Sequence, residues 1–297
     1  MQGQNMEVED FTEGTLYLCA TPIGNLQDIT LRVISCLKSA DLIAAENPEH
    51  TKKLLHYFGI KAPLTSYREA NREKKSRLII NRLKEGARVA LLSDAGTPGI
   101  SDPGFYLIRM LIEENIPYTV LPGASAVLAA LVSAAYPGVK FVFWGFLNRK
   151  KNLRRKELEA ISREDKTVVL YESPHRLSDT LEEMAEAIGS REIVLCRELT
   201  KKFEEVKRGS ASHLLEHLRR FPPRGEITLV VSPSKPAEED TAALRDVARQ
   251  AIYQAIKSGA APAEAARETA AILPLSKKEV YSLMLEMLKD NDLLIMN

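Results

Sequence analysis

RVALLSDAGTPGISDPG, residues 88–104, changes character twice. It begins as a short apolar run, Val89-Ala90-Leu91-Leu92. It then breaks into a loop of Gly, Pro, Ser, Thr and Asp, and a helical pattern follows over about 105–114. A buried strand that stops abruptly, hands over to a loop and then a helix is the layout of an α/β ligand site. Such sites lie outside the carboxyl ends of the strands. Gly96, Gly99 and Gly104 can take positive φ and let a ligand approach the backbone. Pro98 and Pro103 stiffen the loop, and Asp94 and Asp102 make it acidic. That chemistry suits a polar, partly cationic ligand better than a phosphate. The alternative is a plain surface connection, for which seventeen residues is long.

The chain of 297 residues has room for two domains and a small third. Its 45% hydrophobic and 27% charged content is that of an ordinary globular protein. A net charge of +1 implies no global attraction to nucleic acid, so any such site is a local patch. Cys19, Cys36 and Cys196 are far apart and form no CxxC pair, which argues against a zinc site or disulfide framework and fits a reducing cytoplasm. The N-terminus has no basic start or apolar core of a signal peptide. The longest apolar run, near 124–136, is too short for a bilayer.

Outward from the central loop, strand and helix signals alternate. Strands are expected at 15–20, 42–46, 118–121, 141–145, 167–171, 193–197 and 227–232. Helices are expected near 30–37, from 51 to 58, up to Glu85, after Ser125, and at 153–162, 174–188 and 211–220. The pattern predicts two α/β domains, 14–137 and 138–235, with a cleft between them. A loose tail over 1–13 precedes them. A linker leads into a helical module at 241–297, read as three short helices. G-x-G-x-x-G and G-x-x-x-x-G-K-[ST] are both absent, so a phosphate cradle is a poor reading. The run Arg149-Lys150-Lys151 with Arg154-Arg155-Lys156 reads as a solvated helix face or as phosphate-backbone contacts.

Four phrases point further: ATPIGNLQDITLR at 20–32, SDAGTPGISDPG at 93–104, YESPHR at 171–176 and RELTK at 197–201. Their order and length resemble the ribosomal RNA small subunit methyltransferase I family, within the tetrapyrrole-methylase-like superfamily. The resemblance covers about 14–235 and, less specifically, the C-terminal helices. It implies two α/β domains holding S-adenosylmethionine in the cleft. It also implies methyl transfer to the 2′-hydroxyl of a cytidine ribose in 16S rRNA, and a cytoplasmic homodimer acting on the small ribosomal subunit without a membrane. Carried over by position, the cofactor residues are Pro22, Asp94, Gly96, Thr97, Ser125, Ala126, Tyr171, Gly225 and Thr228. Asp102, Lys201 and Glu172 stand as catalytic candidates, with His175 and Glu46 on neighbouring loops. RNA would be held by Arg149, Lys150, Lys151, Arg154, Arg155, Arg176 and Lys202. The chain departs from the family at Asn47-Pro48-Glu49, where Asp-Thr-Arg is usual, and at 68–72, where Arg68 and Arg72 are the expected replacements for the lost Arg.

Overall fold

The computed structural model describes residues 11–136, 138, 140–234, 238–273 and 275–289. Pro137, Val139, Pro274, residues 1–10 of the expected tail, 235–237 of the expected linker and 290–297 of the expected helical module lie outside them. The chain divides after Pro233 into two compact units.

The first half of the larger unit runs β1 (Leu16–Cys19), α1 (Leu31–Ser39), β2 (Leu42–Ala45), α2 (Pro48–Tyr57), β3 (Leu64–Ser66), α3 (Arg72–Lys84), β4 (Val89–Leu92), α4 (Gly104–Glu113), β5 (Tyr118–Leu121) and α5 (Ala126–Ala134). Its five strands form a parallel sheet in the order β3-β2-β4-β1-β5. A parallel sheet covered on both faces demands continuous apolar strands, which is why VALL and LYLC read as unbroken runs. Leu16, Leu18, Val89 and Leu91 enter one core, and Tyr17, Cys19, Ala90 and Leu92 enter the core on the opposite face. Alternate side chains of one strand must point to opposite faces.

The second half runs β6 (Phe141–Phe146), α6 (Lys151–Arg163), β7 (Thr167–Glu172), α7 (Leu177–Ile188), β8 (Ile193–Arg197), β9 (Glu205–Gly209), α8 (Ala211–Arg220) and β10 (Ile227–Val231). This sheet is mixed, ordered β6-β7-β10-β8-β9, with β10 antiparallel to both neighbours. The antiparallel insertion sets the start of β10 beside the end of β7, pairing Thr228 with Tyr171. Helix α5 joins the halves: Val127, Ala130 and Leu131 pack with Val169, Val194 and Val230 of the second sheet. The sheets therefore belong to one compact unit, although the expected boundary near 138 does separate them in sequence.

The sequence reading missed β3 and β9. β3 has three half-buried residues, and β9 alternates partly buried with exposed ones at a sheet edge. Neither is an apolar run. The expected looseness of the tail does not extend to residues 11–13. The Phe11 ring sits edge-on against Tyr17 at 5.1 Å, and the Thr12 amide donates to the Tyr17 hydroxyl at 2.7 Å.

The smaller unit holds α9 (Glu238–Lys257), α10 (Pro262–Ile272) and α11 (Lys277–Lys289). They close on their own core, including Ile252, Ala265, Leu283 and Met287. Helix α9 has twenty residues and starts ahead of the expected boundary, so only two of the three helices are short. None of the described helices is long and apolar enough to cross a membrane.

Candidate active site

The loop after β4 is closed by its own hydrogen bonds. The amides and carbonyls of Thr21 and Gly96 bond reciprocally at 2.9 and 3.0 Å, tying the loops after β1 and β4 together. Gly96 makes this turn at φ +75°, where a side chain would be strained. The Asp102 carboxylate accepts from the amides of Gly99 and Gly104, each at 2.8 Å by Oδ1. Burial pushes its pKa up, against the pull of these amides.

The ends of both sheets enclose a cleft of about 440 Å³, within the range of small-molecule sites. Asp94, Gly96 and Thr97 come from the β4 loop. Ser125 and Ala126 come from the start of α5, Tyr171 from β7, and Gly225 and Thr228 from the approach to β10. Sequence reasoning named these eight. Ser125 caps α5 by accepting from the Leu128 amide. The first-turn amides of α5 suit a carboxylate. The Phe146 ring lies 5.5 Å from Tyr171 and shares the cleft. It was not predicted. A register shift after Phe143, with Gly145 at φ +73°, carries it there, and the Gly inside an aromatic strand was the available signal.

The charge of this cleft is one-sided. Glu46, Asp94, Asp102, Glu172 and Glu226 line it, and among the described residues no Lys, Arg or His does. Glu46 stands at the end of β2, its carboxylate 3.5 Å from the Asp94 amide. Burial raises its pKa, and the negative charge of Asp94 adds to the rise. Aromatic faces, a capped helix start and a set of acids suit a ligand with a flat ring, a carboxylate and positive charge.

Residues 15–215 match the family model for Tetrapyrrole (Corrin/Porphyrin) Methylases. Ribosomal RNA small subunit methyltransferase I of Bacillus subtilis (strain 168) is 44% identical over 271 residues, covering 90% of this chain and 93% of that protein. The chain belongs to the ribosomal RNA small subunit methyltransferase I family. The family's protein from Thermotoga maritima is 45% identical over 219 residues, 74% of this chain and 98% of its own length. Among solved structures, cobalt precorrin-4 methyltransferase has a TM-score of 0.59 at 17% identity, covering 74% of this chain and 95% of its own. Diphthine synthase has 0.59 at 15%, covering 73% and 90%. At such identities the likeness establishes the fold.

Several expected roles do not fit. Pro22 does not line this cleft; it lines an adjoining cavity, because the β1 loop turns away after Thr21 bonds Gly96. Both oxygens of Glu172 are engaged, by the Ser173 amide at 2.7 Å and the Thr180 hydroxyl at 2.7 Å. Asp102 is committed to its own loop. Lys201 is paired: burial pulls its pKa down, but Glu198 at 2.8 Å and Glu226 at 3.2 Å outweigh that and the net shift is upward, which disfavours a role as base. His175 is exposed and outside the cleft.

The basic run also divides. Arg149, Lys150, Lys151 and Arg155 are exposed, and so is Lys202. Arg154 is buried, donating to both Glu183 oxygens at 2.7 and 2.6 Å. Its place on the inner face of α6 takes it away from RNA. The Arg176 guanidinium donates to the Leu147 carbonyl at 2.8 Å and lies 3.5 Å from Glu172, a structural position. Arg68 donates to the Glu46 carbonyl at 2.8 Å, and Arg72 pairs with Glu69 beneath the Tyr106 ring, so neither stands free to replace a phosphate contact.

Proposed function

We propose that this chain transfers a methyl group from S-adenosylmethionine to the 2′-hydroxyl of a cytidine ribose in 16S rRNA of the small ribosomal subunit. The observation that carries the reading is the aromatic cleft with five carboxylates, no cation and a capped helix start. Bound there, S-adenosylmethionine supplies a methyl group already activated on its sulfonium. Phe146 and Tyr171 offer faces for the adenine, the α5 amides take the carboxylate, and the acids favour the positive centres. The β4 loop fixes the geometry of transfer and limits water.

A ribose hydroxyl must lose its proton as its oxygen bonds the methyl carbon and the carbon–sulfur bond breaks. Among the described residues, Glu46 and Asp94 are the cleft acids not held by a cation or by two hydrogen bonds; Glu46 accepts only the long bond from the Asp94 amide. Glu46, with its raised pKa, is the better proton acceptor. Arg149, Lys150, Lys151, Arg155 and Lys202 supply phosphate contacts for the RNA. A homodimer is supported by the edge strand β5, where Tyr118 and Val120 are exposed, and by α5, where Val132 is 79% exposed. The free buried thiols of Cys19, Cys36 and Cys196 suit the cytoplasm.

The test is transfer of labelled methyl from S-adenosylmethionine to small ribosomal subunits and to naked rRNA, with Asp94→Ala alongside. Label in RNA that blocks alkaline cleavage of the adjacent linkage, and is lost in the variant, is expected. Saturable cofactor binding with no labelled RNA would reject the substrate in favour of a small-molecule or protein acceptor. No cofactor-dependent rise in Tm would reject the enzyme in favour of a binding factor.

A further inference from the structure

A second cavity of about 320 Å³ adjoins the cofactor cleft. Ile23, Ser93, Asp94, Ala95 and Glu226 line both. Between the two, charge is partitioned. Among the described residues no Lys, Arg or His lines the larger cleft, whereas the smaller one holds Lys53, Lys201 and the His50 imidazole beside the shared Asp94 and Glu226. Away from the α5 amides, a phosphodiester entering the larger cleft would face five carboxylates, and their repulsion disfavours it there. The smaller cavity is where a phosphate finds counter-charge within reach of the reacting centre.

His50 and Lys53 stand three residues apart in the first turns of α2, hence on one helix face. The positive end of the helix lies under them. Among the described residues neither has a hydrogen-bonding or ion-pair partner. All three side chains are exposed, and Lys52, between the other two, differs in pairing with Glu49 at 2.7 Å. Lys201 is held by Glu198 and Glu226 and closes the cavity from the second half of the unit. That closure is tight. A Cβ at Gly24 would fall 2.5 Å from Lys201 Cγ and 2.8 Å from both the Leu199 carbonyl and Thr200 Oγ1. Glu198 and Thr200 hold φ of +52° and +66°, a strained conformation for residues other than glycine. Strain of this kind persists only where surrounding contacts over-determine it, as they do at this wall.

We infer that the smaller cavity is the acceptor-nucleotide subsite. His50 and Lys53 hold a phosphate of the RNA, and the ribose reaches the rim shared with the cofactor cleft at Asp94 and Ala95. The inference rests on the RNA-methylation reading and assigns that reading a place and two residues.

The experiment compares the wild-type full-length chain with H50A/K53A, Lys52→Ala and Lys53→Arg. Methyl transfer to small subunits is measured at saturating S-adenosylmethionine over roughly 50–200 mM salt. Cofactor Kd is measured separately, and Tm monitors folding. The double variant is expected to raise KM for the RNA about tenfold. It should also make the salt dependence shallower by about one unit of log slope. Cofactor Kd should stay unchanged. Lys52→Ala should behave as wild type, and Lys53→Arg should keep most of the affinity. An unchanged RNA KM and salt slope in the double variant, or an equal loss in Lys52→Ala, overturns the subsite. A wild-type chain that labels no RNA overturns the functional reading beneath it, so the two failures are distinguishable.

Discussion

Replacing Arg154 with Met removes one half of an ion pair that joins α6 to α7. The guanidinium meets the Glu183 carboxylate at two points, 2.7 and 2.6 Å, and both side chains are only 10% exposed. Breaking a buried pair leaves an uncompensated charge, which costs about 3 kcal/mol or more. For a unit of this size that is a fall in Tm of about 6–12 °C. The neighbouring Arg155–Glu186 pair is 59% and 71% exposed, and its loss costs about 0–1 kcal/mol. Thermal melts of R154M, R155M and R154M/E183L measure the contrast, with the double variant recovering most of the loss. The effect depends on pH in a definite sense. The Arg154 hydrogen bond holds the Glu183 carboxyl below the usual carboxylate range. Its stabilisation is therefore complete above the unfolded-state pKa and lost as pH falls through the lower folded-state value. The gap between wild type and R154M narrows in acid. If R154M melts with wild type while its KM for RNA rises, the assignment of Arg154 to the interior is refuted.

Glu46→Gln should slow methyl transfer about a hundredfold. Because the Glu46 pKa is raised, wild-type activity should fall with acid at a pH above the ordinary carboxylate range, a limb the variant lacks; equal rates and profiles would remove Glu46 from the chemistry. Phe146→Ala should weaken cofactor binding about five- to tenfold by loss of a ring contact, read by calorimetry, and an unchanged Kd would place the cofactor away from β6.

The central loop was legible because its composition is extreme: three glycines, two prolines and two acids directly after a buried strand permit little besides a ligand-facing turn. Asp94, Gly96 and Thr97 come from that loop, and the five other expected cofactor residues that share its cleft were legible through the family resemblance. Pro22 sat in an equally suggestive phrase, but its position depends on the Thr21–Gly96 bridge, a contact across 75 residues that no local pattern encodes. The misassigned cations share a cause. Arg154 follows Arg149, Lys150 and Lys151 in sequence, yet the helical repeat turns it inward while its neighbours stay in solvent. Lys201 and Glu172 were candidates by residue type, and only the tertiary structure shows their charges already engaged. Glu46 was visible as an acid ending a strand. Its raised pKa required knowing that Asp94, 48 residues away, lies beside it.

The reciprocal Thr21–Gly96 bonds and the Asp102 clamp have a thermodynamic consequence. Ordering a segment on binding subtracts from affinity, but here the main chain proposed to meet the cofactor is already cross-braced between the loops after β1 and β4 and closed on its own amides. Conformational entropy lost on capture then falls on the flexible ligand, which must fold to fit, and little falls on the protein. A cofactor that leaves as a spent thioether would find the same rigid seat with one positive charge fewer to attract it.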